Sequence, residues 1–172
     1  MEKKVTVKIF NNSNNELPEY ESEFAAGLDL RADFSNVDST LDFNGNDRYY
    51  FNNLSKELTI FANGGRVLIP TNLHVAIPEG YELQIRPRSG LALKHGISIV
   101  NSPGTIDSDY RGSIGIILIN TDPHHDFSIT HGDRIAQAIL NKFNQIKWER
   151  VDSINELGDT VRGEGGFGHT GK

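Results

Sequence analysis

The sequence contains no cysteine, which excludes disulfide bonds and every metal centre built on thiolates. It also lacks a long apolar run. The longest lies around Ile114 to Ile119, far short of the roughly 20 residues that a helical membrane span needs. The opening stretch Met1-Glu-Lys-Lys-Val-Thr-Val has no apolar core of the kind that marks a secretory signal. A soluble, cytoplasmic protein is the expectation, with no membrane contact. Positive charge is scarce as well: 17 Lys and Arg stand against 23 Asp and Glu, a formal net charge of −6. Nucleic-acid binders draw most of their affinity from a basic field that neutralises phosphates. No nucleic-acid partner is expected here, and a phosphate-bearing ligand must meet a few local arginines. That favours a small nucleotide.

Hydrophobic residues make up only 37% of the chain, while glycine occurs 17 times in 172 residues. The mix suits one β-rich domain with many turns, not a helical bundle. Val5, Val7 and Ile9 alternate with polar residues, as a half-buried strand does. Further strands are predicted at Arg66–Ile69, Leu73–Ile77, Tyr81–Arg86, Ile97–Val100, Ser113–Ile119, Phe127–Thr130 and Ile146–Val151. Turn signals such as Pro78-Glu-Gly80 and His131-Gly-Asp133 separate them. Short strands at this spacing imply a sandwich, barrel or jelly roll. Ser89 to Gly96 reads as a short helix, with Ser89 as N-cap and Gly96 as a left-handed C-cap. Ile135, Ala136, Ile139, Leu140 and Phe143 fit a helix as well as a buried strand. The polar, asparagine-rich segment 34–65 holds one aromatic cluster, Tyr49-Tyr50-Phe51. It reads as a surface excursion or an extra hairpin, or else as an insertion that docks a protein partner.

Several stretches carry chemistry. Arg86-Pro-Arg88-Ser89-Gly90 sets two arginines beside a helix start, where free N–H groups attract anions and the fork of arginine meets phosphate oxygens. It also reads as an ordinary capped helix with solvated arginines. Asn101 opens a turn, and its amide offers donors and an acceptor that match the edge of a uracil. Asp107 follows the β-prone pair Thr105 and Ile106, where a carboxylate can orient and deprotonate a water. A turn-capping Asn and a solvated Asp are the plainer readings. The C-terminal stretch Arg162-Gly-Glu-Gly-Gly-Phe-Gly-His-Thr-Gly-Lys172 mimics P-loop spacing. A P-loop needs a Ser or Thr and a helix after the lysine, neither of which is expected here, so no P-loop is expected. What is left is a glycine-rich arm, read either as a disordered tail or as a lid over a ligand.

Taken together, five segments in register resemble the five motifs of the trimeric dUTPase family. They are Ala26–Ala32, Pro87–Gly96, Gly104–Gly112, Gly132–Gln137 and the Arg162–Gly171 tail. The resemblance implies an all-β, distorted jelly-roll barrel with one short helix, assembled as a homotrimer with sites at subunit interfaces. It divides the chain into a β domain, 1–161, interrupted by an insertion at about 34–65, and a flexible arm, 162–172. It implies Mg2+-dependent hydrolysis of dUTP to dUMP and pyrophosphate, which keeps uracil out of DNA and supplies dUMP for thymidylate synthesis. Asp107 resembles the general base that activates water against the α-phosphate. Asn101, Gly104, Thr105 and Ile106 would read uracil, and Tyr110 would pack under the deoxyribose and exclude a 2′-hydroxyl. Arg88, Ser89, Gly90 and Gln137 would hold phosphates. In the arm, Arg162, Gly168, His169 and Thr170 would meet the γ-phosphate side and Phe167 would cover the base. The phosphates themselves would chelate the magnesium. Asp29 touches it through water on one reading and is a structural carboxylate on the other.

The pattern departs from the family at His169, which stands where serine is common. Nucleotide affinity is therefore expected to rise as pH falls from about 8 to about 6 and the imidazole becomes a cation. A flat binding constant over that range would contradict this role. The related dCTP deaminases use a glutamate that here falls on Ile117, an aliphatic residue unable to move protons, so deamination is not expected. A non-catalytic nucleotide sensor is the rival from another class.

Overall fold

The computed structural model describes residues 4–39 and 43–166. Its strands are β1 (Lys8–Asn11), β2 (Leu28–Arg31), β3 (Tyr49–Asn52), β4 (Glu57–Ile60), β5 (Gly65–Pro70) and β6 (Leu73–Ala76). They continue with β7 (Tyr81–Arg86), β8 (Ile97–Ile99), β9 (Gly104–Ile106), β10 (Gly115–Asn120), β11 (Phe127–Thr130) and β12 (Arg134–Lys142). One helix, α1 (Ser89–His95), follows β7, and a 3-10 turn covers Ile154–Leu157. The strands pair antiparallel in small sheets ordered β2-β12-β7-β9, β5-β10-β8, β11-β4-β3 and β1-β6. The result is an all-β, distorted jelly-roll architecture.

Alternation builds it. Along β5, β6 and β10 every second residue is buried, among them Val67, Ile69, Leu73, Val75, Ile116 and Leu118. A period of two sends those side chains to one face, and each contributes about 1.5–3 kcal/mol when fully removed from water. Buried Asn120 ties the layers together. Its amide donates to Ile60 O at 3.1 Å and His125 O at 2.9 Å, while its oxygen accepts the Asp122 N–H at 3.0 Å.

The undecided stretch from Ile135 is a strand. β12 pairs on both edges, with β2 and with β7, and a central strand buried on both faces shows no clean alternation. Three readings need correction. The segment Ile146–Val151 forms no strand; it pairs with no described strand, and Ile146 and Trp148 are 71% and 84% exposed. Ser89 is the first helical residue and not the N-cap. Arg88 takes that place in extended conformation, without a side-chain cap bond, while Gly96 ends α1 in the left-handed region at φ 62°. Of the alternatives for segment 34–65, the extra hairpin is the one found, and the correction is to its surface placement. The segment makes the hairpin β3–β4, and Phe34, Phe43, Phe51, Leu58 and Ile60 within it are buried.

Candidate functional site

The sheet β2-β12-β7-β9 carries Asp29, Gln137, Gly104, Thr105 and Ile106, and Arg88 and Asp107 follow closely on β7 and β9. Gln137 on β12 stands opposite Asp29 of β2 on one side and Arg86 of β7 on the other. Pro87 and Arg88 leave β7 directly into α1. Gln137 reaches across to them, its Nε2 donating to Pro87 O at 2.8 Å. Gly27 makes room for it: a methyl group there would lie 2.5 Å from Gln137 Oε1.

Asp29 fixes the arginine. Arg88 Nε donates to Asp29 Oδ1 at 3.1 Å, and its Nη1 donates to Arg134 O at 3.0 Å. A bulge between Arg134 and Ala136 puts Arg134 opposite Arg31, two residues from Asp29. The extra residue turns Arg134 onto the face that Asp29 occupies, with Nη1 3.4 Å from Asp29 Oδ2. Glu21 completes the chain of charges, accepting from Arg134 Nη1 at 2.7 Å. Both oxygens of Asp29 thus face guanidinium groups. At 65% exposure Glu21 adds little to stability; its contribution is orientation. Arg86 is held within its own strand, donating to Gln84 Oε1 at 3.1 and 2.6 Å. Ser89 and Gly90 are exposed beside Arg88.

A second group lies on β9 and the turn after it. Leu83, Gln84 and Ile85 of β7 pair with Ile106, Thr105 and Gly104. Gly104 is packed tightly, and a methyl group on it would meet Asn101 Nδ2 at 3.2 Å and Ile85 Cβ at 3.4 Å. Ile85, Ile99, Asn101, Gly104, Ile106 and Ile117 line one small pocket. Ile117 presents no titratable group to it. Asp107 leaves the end of β9 exposed, and the Tyr110 N–H donates to its carbonyl at 3.2 Å. Arg111 wraps this turn, Nη1 donating to Ser108 O at 2.7 Å and Tyr110 O at 2.8 Å.

The register keeps Asp107 apart from Arg88, although Gly104, opposite Ile85, lies nearer. Continuing β9 past Ile106 puts Asp107 beside Glu82, whereas Arg88 lies beyond the other end of β7. Six residues of extended chain separate them, about 20 Å. Arg162 is exposed and donates from Nε to Gly165 O at 2.8 Å, joining neither group. Phe167, Gly168, His169 and Thr170 lie outside the described residues. Among the described residues no cluster of three or more His, Asp or Glu is arranged to hold a metal.

A family model described as dUTPase matches residues 53–171. The deoxyuridine 5'-triphosphate nucleotidohydrolase of Fusobacterium nucleatum subsp. nucleatum is 46% identical over 170 residues, 99% of each chain. The chain belongs to the dUTPase family. Solved dUTPases have its fold. A Staphylococcus bacteriophage 80alpha dUTPase with dUPNHPP superposes with a TM-score of 0.73 at 22% identity, over 97% of this chain and 99% of that one. A mutant dUTPase from phage phi11 of S. aureus, described with a structural Mg(II) ion, gives 0.67 at 19% over 88% and 99%.

Within this dUTPase-family chain, sequence motifs point to Asp29, Arg88 and Gln137 but miss Glu21 and leave Arg134 without a role. The Glu21–Arg134 contact spans 113 positions and leaves no local signal. Gly27 and Gly112, glycines of the first and third motifs, carry no separate signal either.

Proposed function

We propose that the chain hydrolyses dUTP to dUMP and pyrophosphate as a homotrimer, each site assembled where copies meet. The observation that carries this reading is the division of the site. Asp107, the proposed base, and Arg88, which Asp29 and Gln137 accompany, stand about 20 Å apart along β7 and the residues that follow it, so bringing both to one nucleotide needs a second copy. Uncovered apolar surface supports assembly: Ile146, Trp148, Ile154 and Leu157 are each at least 68% exposed, and such surface marks contacts with other chains.

Asn101 and the backbone of Gly104, Thr105 and Ile106 bind uracil, and Tyr110 lies under the deoxyribose. Arg88, Ser89, Gly90 and Gln137 of a neighbouring copy hold the phosphates. Arg162, Phe167, Gly168, His169 and Thr170 close over the nucleotide. Asp107 takes a proton from water as the water oxygen bonds to the α-phosphorus. The bond from that phosphorus to the α–β bridging oxygen breaks, and pyrophosphate leaves with the electron pair. Donors already in place stabilise the charge that builds on the phosphoryl oxygens.

Magnesium suits this donor set only when the nucleotide supplies most of its ligands. The oxygens of Asp29 are taken up by Arg88 and Arg134, so Asp29 would reach the ion through water. When bound, the ion would neutralise charge on the triphosphate.

Arg88→Met is expected to raise KM for dUTP by about 10–100-fold, the loss of one or two charge-assisted hydrogen bonds. An unchanged KM would place the phosphates elsewhere. The reading as a whole is tested by pyrophosphate release from dUTP, dTTP, dCTP and UTP in the presence of magnesium. It predicts strong preference for dUTP; equal rates on all four, or none on dUTP, would refute it.

A further inference from the structure

The turn that carries Asp107 ends in an arrangement that no motif explains. The phenol of Tyr110 donates to Ser113 O at 3.0 Å, so the ring folds back across the chain at Gly112. A methyl group built on Gly112 would overlap Tyr110 Oη, and would lie 2.5 Å from Cζ and 2.9 Å from Cε2. No backbone demand accounts for this glycine, since it is not among the residues with positive φ. The ring accounts for it. Tyr110 is 43% exposed, so a ring displaced by a side chain has solvent to move into and loses chiefly its bond to Ser113.

We infer that Gly112 is a positioning residue for sugar discrimination: its missing side chain lets Tyr110 lie flat on the chain, where the ring meets a ribose. The inference rests on the reading that Tyr110 packs beneath the deoxyribose. A ring rejects an added hydroxyl by contact, and contact repulsion vanishes once the ring withdraws by an ångström or so. His74, whose Nδ1 lies 3.0 Å from Arg111 O, holds the chain on the other side of the turn, so the ring is the part free to yield.

The test measures kcat/KM for dUTP and for UTP in the wild type, Gly112→Ala, Tyr110→Ala and the double variant, with a thermal melt of each. Gly112→Ala should fold and should lower the dUTP-over-UTP ratio by about tenfold or more, towards the ratio of Tyr110→Ala. In the Tyr110→Ala background the second substitution should change nothing further, because Gly112 acts only through the ring. If Gly112→Ala alone fails to fold while the double variant folds and matches Tyr110→Ala, the contact is confirmed by that rescue. A wild-type ratio in Gly112→Ala, alongside a lowered ratio in Tyr110→Ala, would overturn the role of Gly112 and leave that of Tyr110 standing. A further loss in the double variant would also overturn it. An unchanged ratio in Tyr110→Ala would instead sink the underlying reading, and this inference with it.

Discussion

Asp107→Asn is expected to lower turnover of dUTP by roughly 10²–10⁴-fold, the range for loss of a general base, and to leave nucleotide affinity nearly unchanged. The asymmetry follows from placement. Asp107 is exposed at the end of β9, and its carboxylate makes no hydrogen bond to any described residue, so the amide costs the fold nothing. The proposed phosphate-binding residue Arg88 stands beyond the other end of β7, fixed by Asp29 at 3.1 Å. Steady-state pyrophosphate release together with binding of a non-hydrolysable analogue separates the two effects. Near-normal turnover would remove Asp107 from the chemistry. The same separation predicts complementation. Asp107→Asn and Arg88→Met chains, each poorly active alone, should regain activity when unfolded together and reassembled. Random pairing at interfaces restores about a quarter of the sites. No recovery would mean that both residues serve one site from the same copy.

Phe34→Ala destabilises the chain by about 3–5 kcal/mol, as deletion of a fully buried phenyl ring does. Phe34 has no exposure to solvent. Its ring stands edge-on to Phe43 at 5.7 Å and to Phe51 at 5.5 Å, and Phe43 meets Tyr49 at 6.2 Å. Such pairs add about 0.5–1.5 kcal/mol each beyond burial. Leu58 and Ile60 of β4 are fully buried in the same core. A urea titration should show the midpoint shifted down with little change in slope. A loss below about 1 kcal/mol would mean that the site collapses around the gap or that segment 34–65 contributes little to the core.

That second result bears on what the sequence disclosed. β7 and β11 were legible residue for residue, because alternation and flanking turns agree there. The hairpin in segment 34–65 was legible but its burial was not, because its apolar residues are dispersed among asparagines and aspartates, at 34, 37, 43 and 51. Phe34, Phe43 and Phe51 meet only in the folded chain, ring against ring, beside a hairpin whose strand β4 pairs with β11 about 70 positions away. Ile146–Val151 misled in the opposite sense, since an alternating pattern makes a strand only where a neighbour is at hand to bond it. The candidate site divides the same way. Motif spacing pointed to Asp29, Arg88 and Gln137, which the sheet sets in one group. What turns Arg134 towards Asp29 is a bulge in β12, and what clears space for Tyr110 is an absent side chain at Gly112. Neither is expressed in composition or period.

Hydrolysis of dUTP in water enriched in oxygen-18 tests most directly that water attacks the α-phosphorus. The label should appear in dUMP, with unlabelled pyrophosphate. Label in pyrophosphate, or intact dUTP after incubation with folded enzyme and magnesium, would contradict the account.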